Sequence, residues 1–355
     1  MRTLFVWSVF VSGCSSSGLS AGIPDPAVDP TDPGPDADPV VPAPTDPTTP
    51  AATYDDIAQI VRTDAMFTVS GSVWEADTYL GADAVGHAFY ATHGDDYDFL
   101  AVYTEADVVD RFAWAVKYDY STTGLGEDWP NGPTPAMAGS AGKLLQIDMM
   151  TWTDWYTDDP SETSILVHET THAWGAMAQV TGGIDIRESE YGAHWNVFSA
   201  TGGNSALGYG DLVDLGGGQF SFEIRYPLQL SALELYLAGL VPASEVPPMF
   251  HVRSASGFSP AIPPYEPSWT PGSYGMDVTY SGIREDFDIG DVIAANGPRN
   301  PSYVTSQKDF RMAFVMVCEA TCRPADLAVV EAQRQAFATR WSAATGGRST
   351  MDTSL

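Results

Sequence analysis

Between residues 85 and 150 the apolar positions fall into short clusters of aromatic and β-branched side chains, bounded by glycine and aspartate. Phe89-Tyr90-Ala91-Thr92, Phe99-Leu100-Ala101-Val102-Tyr103-Thr104, Trp114-Ala115-Val116-Lys117-Tyr118 and Leu144-Leu145-Gln146-Ile147-Asp148-Met149 are too short for stable helices and suit a pleated surface, so each predicts a strand. The pattern then changes. Asp159-Pro160-Ser161-Glu162 supplies an N-cap acceptor, a proline at the first helical position and a glutamate at the third, and nothing interrupts a helix from there to Thr181-Gly182-Gly183. Farther on, glycines in Thr201-Gly202-Gly203-Asn204 and Leu215-Gly216-Gly217-Gly218 predict loops, and residues 230–240 predict a helix stopped by Gly239 and Pro242. Residues 326–344 predict a last, amphipathic helix with Leu327, Val330, Phe337 and Trp341 on one face and Gly346 at its end. The chain has no internal repeat.

The first fifty residues have a different character. Arg2 followed by the apolar run of residues 4–11 is a targeting pattern, too short to span a bilayer as a helix. The run ends in Val11-Ser12-Gly13-Cys14, which resembles the bacterial lipoprotein processing box, and the resemblance implies a mature chain that begins with a lipidated Cys14. Ser15, rather than aspartate, next to that cysteine implies the outer membrane of the cell envelope. An ordinary secretory signal is the alternative, and it too takes the protein out of the cytoplasm. From Pro24 to Pro50 nearly every residue is Pro, Asp, Ala, Thr or Val, so residues 15–52 are expected to be an extended, solvated tether. The folded part is expected over residues 53–355.

Composition narrows the function. The chain is 44% hydrophobic over 355 residues, enough to bury one large domain or two smaller lobes. Its net charge of -30 repels phosphate backbones, which argues against a nucleic-acid partner. In an oxidising compartment Cys318 and Cys322, with no second pair to complete a sulfur site, are expected to form a small disulfide.

The chemistry concentrates in His168-Glu169-Thr170-Thr171-His172. Two histidines four apart on a helix project from one face about one turn apart, the spacing that lets both bind one zinc ion. Glu169 is offset from that face, where its carboxylate can act as general base and then general acid. Ile165, Leu166 and Val167 ahead of the motif suit a helix buried at the centre of a domain.

This motif resembles that of the zincin metallopeptidases. The resemblance implies an α+β fold of two lobes: a mixed sheet with a central active-site helix over residues 53–180, and a loop-rich, helical lower lobe over residues 181–355, with one zinc ion between them. Gly175 stands where the metzincin pattern has its glycine, but Ala178 stands where that pattern has its third histidine, which disfavours that class. His194 is the first choice for the third ligand, because imidazole is zinc's usual nitrogen ligand and the intervening loop is long enough to turn back; Glu190 is the alternative. The chain also resembles a group of exported bacterial peptidase-type lipoproteins that share the zinc motif, a later His-Trp pair and a Leu-Glu-Leu-Tyr-Leu-x-Gly-Leu helix. Those features are His194-Trp195 and residues 233–240 in this chain, and the resemblance runs from about Tyr97 to the C-terminal Asp352-Thr353-Ser354-Leu355.

Three further readings complete the expectation. Glu234 could orient a ligand histidine from behind, with a solvent-facing or locally paired carboxylate as the plainer alternative. Tyr191 could donate a hydrogen bond to a developing oxyanion, against a simple packing role. Gly208-Tyr209-Gly210-Asp211 lacks the spacing of any defined calcium loop and reads as a turn. His87, His93 and His251 read as ordinary surface or core histidines. The expected protein is thus a zinc-dependent endopeptidase acting on peptide or protein substrates, held to the membrane by its lipid. A non-catalytic surface-binding lipoprotein that retains the fold is the alternative from another class, and a structural zinc site with four protein ligands is the third.

Overall fold

A computed structural model describes residues 53–69, 78–105, 113–126, 132–159, 161–187, 193–260 and 277–355. The targeting segment, Cys14 and the tether lie outside the described residues, as do Glu190 and Tyr191. In chain order the main elements are β1 (Ile57–Val61), β2 (Phe67–Val69), β3 (Thr78–Leu80), α1 (Ala82–Tyr90), β4 (Phe99–Thr104), β5 (Trp114–Lys117), β6 (Gln146–Trp152) and α2 (Ser164–Thr171). They are followed by β7 (Ser199–Ala200), β8 (Gly210–Gly216), β9 (Gln219–Ile224), α3 (Ala232–Leu237), β10 (Met249–Ser259), β11 (Val278–Phe287), α4 (Ile289–Asn296), β12 (Asp309–Cys318), α5 (Pro324–Ala344) and β13 (Thr350–Asp352).

Six strands form a mixed sheet in the order β1-β12-β4-β6-β5, with β13 also paired to β12. All its pairs are parallel except β5 with β6. Its central strands are apolar at nearly every position because both faces are covered. Phe99, Ala101 and Tyr103 of β4 and Met312, Phe314 and Met316 of β12 join one core with Leu166 and Val167 of α2 and Leu327, Val330, Phe337 and Trp341 of α5. The alternate residues Leu100, Val102, Ala313, Val315 and Val317 join a second core with Ala82, Val85 and Phe89 of α1. Successive side chains of a strand point to opposite faces, so this division follows from the two-residue period of β structure.

A separate antiparallel sheet of five strands runs β7-β10-β11-β9-β8 around Val197, Phe198, Leu212, Phe220, Phe222, Phe250, Val252 and Tyr280. It corrects the expectation of a loop-rich, helical second half. The alternation in Gln219-Phe220-Ser221-Phe222 and in Val278-Thr279-Tyr280 is a strand signal, and Gly216-Gly217-Gly218 is the tight turn of a hairpin, with all three glycines at positive φ. The two sheets are not consecutive halves of the chain either. Strand β12 returns to lie between β1 and β4, so residues 309–352 belong to the first sheet and not to a lobe that starts at Thr181.

Two more local expectations give way. Phe89 and Tyr90 end α1 instead of starting a strand, because Ala82, Val85, Gly86 and Phe89 form a buried stripe at helical spacing that outweighs local strand preference. Leu144 and Leu145 precede β6, which begins at Gln146. Strands β4 and β5, helix α3 and the long last helix fall where patterning placed them, and Cys318 and Cys322 form a disulfide with Cα atoms 5.1 Å apart. Among the described residues no helix is long and apolar enough to cross a membrane.

Candidate metal centre

Helix α2 is shorter at both ends than its sequence suggests. Asp159 is not the N-cap: it accepts hydrogen bonds from the backbone and hydroxyl of Ser161, and the helix starts at Ser164 with Thr163 at the cap position. The Glu162 carboxylate instead accepts from the Ser164 N–H, capping the first turn from outside. At the other end Thr170 and Thr171 place their hydroxyls 2.7 Å from the carbonyls of Leu166 and Val167, the back-bonding that bends and weakens a helix. The last turn tightens to i−3 hydrogen bonds at His172, Ala173 and Trp174, and Ala176 at φ 63° ends it. His168 lies in the helix and His172 at its C-cap, and both are buried.

Strand β6 braces this helix. Asp148 and Gln146 are fully buried, the Gln146 side-chain amide donates to Asp148 at 2.6 Å and to the Glu169 carbonyl at 2.7 Å, and the Thr170 hydroxyl is 2.9 Å from Asp148. Burial pushes the Asp148 carboxyl up to about 7, with these hydrogen bonds pulling the other way. Glu169 is fully buried one position along from His168, and its charge adds to the burial that pushes the Tyr156 phenol up.

The other half of the site comes from the segment leading into the second sheet. Arg187 and Trp195 form an antiparallel bridge, and His194, 3% exposed, lies next to it with its Nε2 3.2 Å from Nε2 of His168. Residues 205–210 then form a tight loop against the helix. Leu207 of this loop packs on Gly175 just past α2, its terminal methyl 2.1 Å from where a Cβ would stand. At the end of this loop Tyr209 holds φ 61°, a left-handed conformation that costs a bulky residue roughly 1–2 kcal/mol.

Glu234 holds the loop. Its carboxylate accepts from the Ser205 hydroxyl at 2.7 Å, the Ala206 N–H at 3.1 Å, the Leu207 N–H at 2.8 Å, the Trp195 indole N–H at 3.1 Å and the Ser231 N–H at 2.6 Å. The last of these, with Ser231 accepting from the Glu234 N–H, is a capping box at the start of α3. Burial raises the Glu234 pKa, and the hydrogen bonds oppose that rise. Glu234 therefore does not touch a histidine. It fixes Ala206, whose carbonyl lies 2.7 Å from Nδ1 of His168, and Trp195, the neighbour of His194.

Around this frame the three imidazoles converge. Nε2 of His168 is 3.2 Å from Nε2 of His172 and 3.2 Å from Nε2 of His194, and all three ligand atoms lie within 4.8 Å of one another. The carbonyl at Nδ1 makes that nitrogen the N–H donor, so Nε2 of His168 carries a single lone pair. One lone pair cannot satisfy several polar groups crowded at hydrogen-bond distance. A metal ion accounts for the crowding: bonds of about 2.0–2.1 Å at tetrahedral angles separate imidazole nitrogens by about 3.3–3.4 Å. Burial holds the His168 and His172 pKa values well below 6.5, with the other imidazoles adding to the effect, and the neutral form is the one that binds a metal. The donor set thus fits a metal ion.

The sequence therefore points to His168, His172 and His194 as one cluster, and the fold brings them together. Among the described residues no other group of His, Cys, Asp or Glu side chains meets the same test. His93 stacks on Phe89 and His251 lies 2.9 Å from the Ser199 hydroxyl. Tyr209 is the residue that sequence reasoning passed over: Gly208 and Tyr209 lie in the expected turn, which leads into β8 at Gly210, and the Tyr209 hydroxyl is 3.2 Å from Nε2 of His168. A bulky residue between two glycines was the available signal. No family model, curated protein or solved structure matches this chain, so the functional reading rests on the geometry of the site itself.

Proposed function

We propose that this chain is a zinc-dependent peptidase of the zincin type, exported and held at the cell envelope through Cys14 and the proline-rich tether. The convergence of three buried Nε2 atoms, those of His172 and His194 each 3.2 Å from that of His168, carries the proposal. Three imidazoles suit zinc, and a zinc ion held by His168, His172 and His194 would polarise a scissile carbonyl and lower the pKa of a bound water. Beside them Glu169 takes the proton of the attacking water and hands it to the departing amine. Its full burial supports that role, since a carboxylate screened from bulk water acts more strongly on charge developing beside it. The substrate would be a peptide whose scissile carbonyl meets the three-histidine cluster.

The test uses the full chain. Elemental analysis should find one zinc per molecule, and cleavage of casein should disappear on chelation and return with added zinc. Glu169→Gln should keep the zinc and lose turnover by about 10²–10⁴-fold, the usual contribution of a general acid–base. Undiminished cleavage by that variant rejects the mechanism, and zinc without any cleavage favours a surface-binding protein.

A further inference from the structure

We propose that Tyr209 supplies its phenol oxygen as a fourth donor to the metal held by the three histidines. This rests on the metal reading above and adds a control on it. Three groups, not two, lie 3.2 Å from Nε2 of His168: the Nε2 atoms of His172 and His194, and the Tyr209 hydroxyl oxygen. The phenol oxygen stands at the same spacing as the two imidazole nitrogens, which is the spacing of donors around one tetrahedral ion. Its ring stacks on His168 at 4.5 Å between centroids, with an interplanar angle of 25°, and is tilted against His194 at 6.2 Å.

The backbone is built to deliver that oxygen. Tyr209 occupies the left-handed region, a position that favours glycine, and backbone hydrogen bonds around the turn hold it there. Ser205 N–H donates to the Gly210 carbonyl at 2.9 Å, Gly208 N–H donates to the Ser205 hydroxyl at 2.8 Å, and Arg225 N–H reaches the Tyr209 carbonyl at 3.4 Å. A Cβ at Gly210 would strike the Glu223 carbonyl at 2.2 Å, so the turn sits directly against β9. The same six-residue loop thus grips His168 from both sides, with the Ala206 carbonyl at Nδ1 and the Tyr209 oxygen at Nε2. A purely packing tyrosine needs neither the strained backbone nor the polar end aimed at a ligand atom.

With the phenol bound, the chain itself fills four positions, and a catalytic site needs one for water. Tyr209 therefore sets the resting state: turnover requires either that the loop release the oxygen or that the ion accept a fifth donor.

The full chain, stripped by chelation and titrated with Cu(II), tests this without reference to activity. Cu(II) binds nitrogen and oxygen sites more tightly than zinc, and a tyrosinate ligand gives it a charge-transfer band. One equivalent of Cu(II) should produce that band. Tyr209→Phe, which keeps the ring stacked on His168, should bind one Cu(II) without the band and bind zinc on the order of tenfold or more weakly, while Tyr156→Phe retains the band. If Tyr209→Phe does not fold, tyrosinate modes in the resonance Raman spectrum of the wild-type Cu(II) protein decide the question. One Cu(II) bound with only imidazole signatures overturns the Tyr209 assignment and leaves the three-histidine site standing. No Cu(II) and no zinc bound overturns both.

Discussion

The helix-borne pair His168 and His172 and the loop-borne pair His194 and Tyr209 meet at one point, but they are held there by opposite means. On the helix side the backbone satisfies itself, and one buried carboxylate, Asp148, braces the turn through Thr170 and Gln146. On the loop side the backbone is irregular, and Glu234 must gather five donors to fix it. A regular element places two ligands by its period alone. A loop of equal precision needs a buried polar network, which is costly unless every member is satisfied.

The largest effects should come from breaking either half outright. His172→Ala and His194→Ala should each abolish binding of the one zinc, read by elemental analysis after dialysis. If His194→Ala keeps wild-type zinc content, the loop half does not belong to the site and the comparison fails.

A smaller effect separates the two braces by pH. The Asp148 carboxyl titrates near 7 in the folded chain against about 4 when unfolded. Below pH 4 both states carry the proton and the group is neutral to stability. As pH rises from 4 to 7 the unfolded chain loses this proton first, so Asp148 withdraws up to about 4 kcal/mol of stability from the metal-free protein across that window, against the opposite contribution of His168 and His172, whose lowered pKa values favour folding as pH rises toward 6.5. Asp148→Asn should remove the Asp148 share, so the variant should gain more stability than the wild type between pH 5 and pH 8 in denaturant melts. An unchanged difference between the two pH values would remove Asp148 as its source.

The smallest effect should fall on the loop brace. Glu234→Gln puts an amide NH₂ against backbone donors and should weaken zinc binding about 10–100-fold. Ser231→Ala removes the helix cap alone and should lower the melting temperature while leaving zinc affinity unchanged. Equal loss of zinc affinity in both variants would make Glu234 a general stabiliser and not a brace of the site.

Much of this was legible beforehand. The strands β4 and β5, the last helix and the Cys318–Cys322 pair are local features, set by periodicity and spacing within a few residues. The second sheet was not legible, because its strands are half-exposed and interrupted or bounded by glycines that read as loops. Nor was the return of β12 to the first sheet, since an apolar run looks the same wherever the chain carries it. Phe89 and Tyr90 failed for a related reason: aromatic residues favour strands in isolation, and only the cores on either side of the sheet decide which surface they meet.

The site divides in the same way. That His168 and His172 share one face with Glu169 beside them follows from 3.6 residues per turn, so the sequence alone determined it. That His194 completes the cluster was one choice between two in the sequence. Tyr209 beside His168, and Glu234 steering the ligands through Ala206 and Trp195, were decided only in three dimensions. These contacts join residues 26 to 41 positions apart, and beside Tyr209 the glycine at 210 lets the backbone lie directly against that of Glu223. Helical periodicity is written in neighbouring residues, whereas the closing of a loop onto a helix depends on packing that no local pattern encodes.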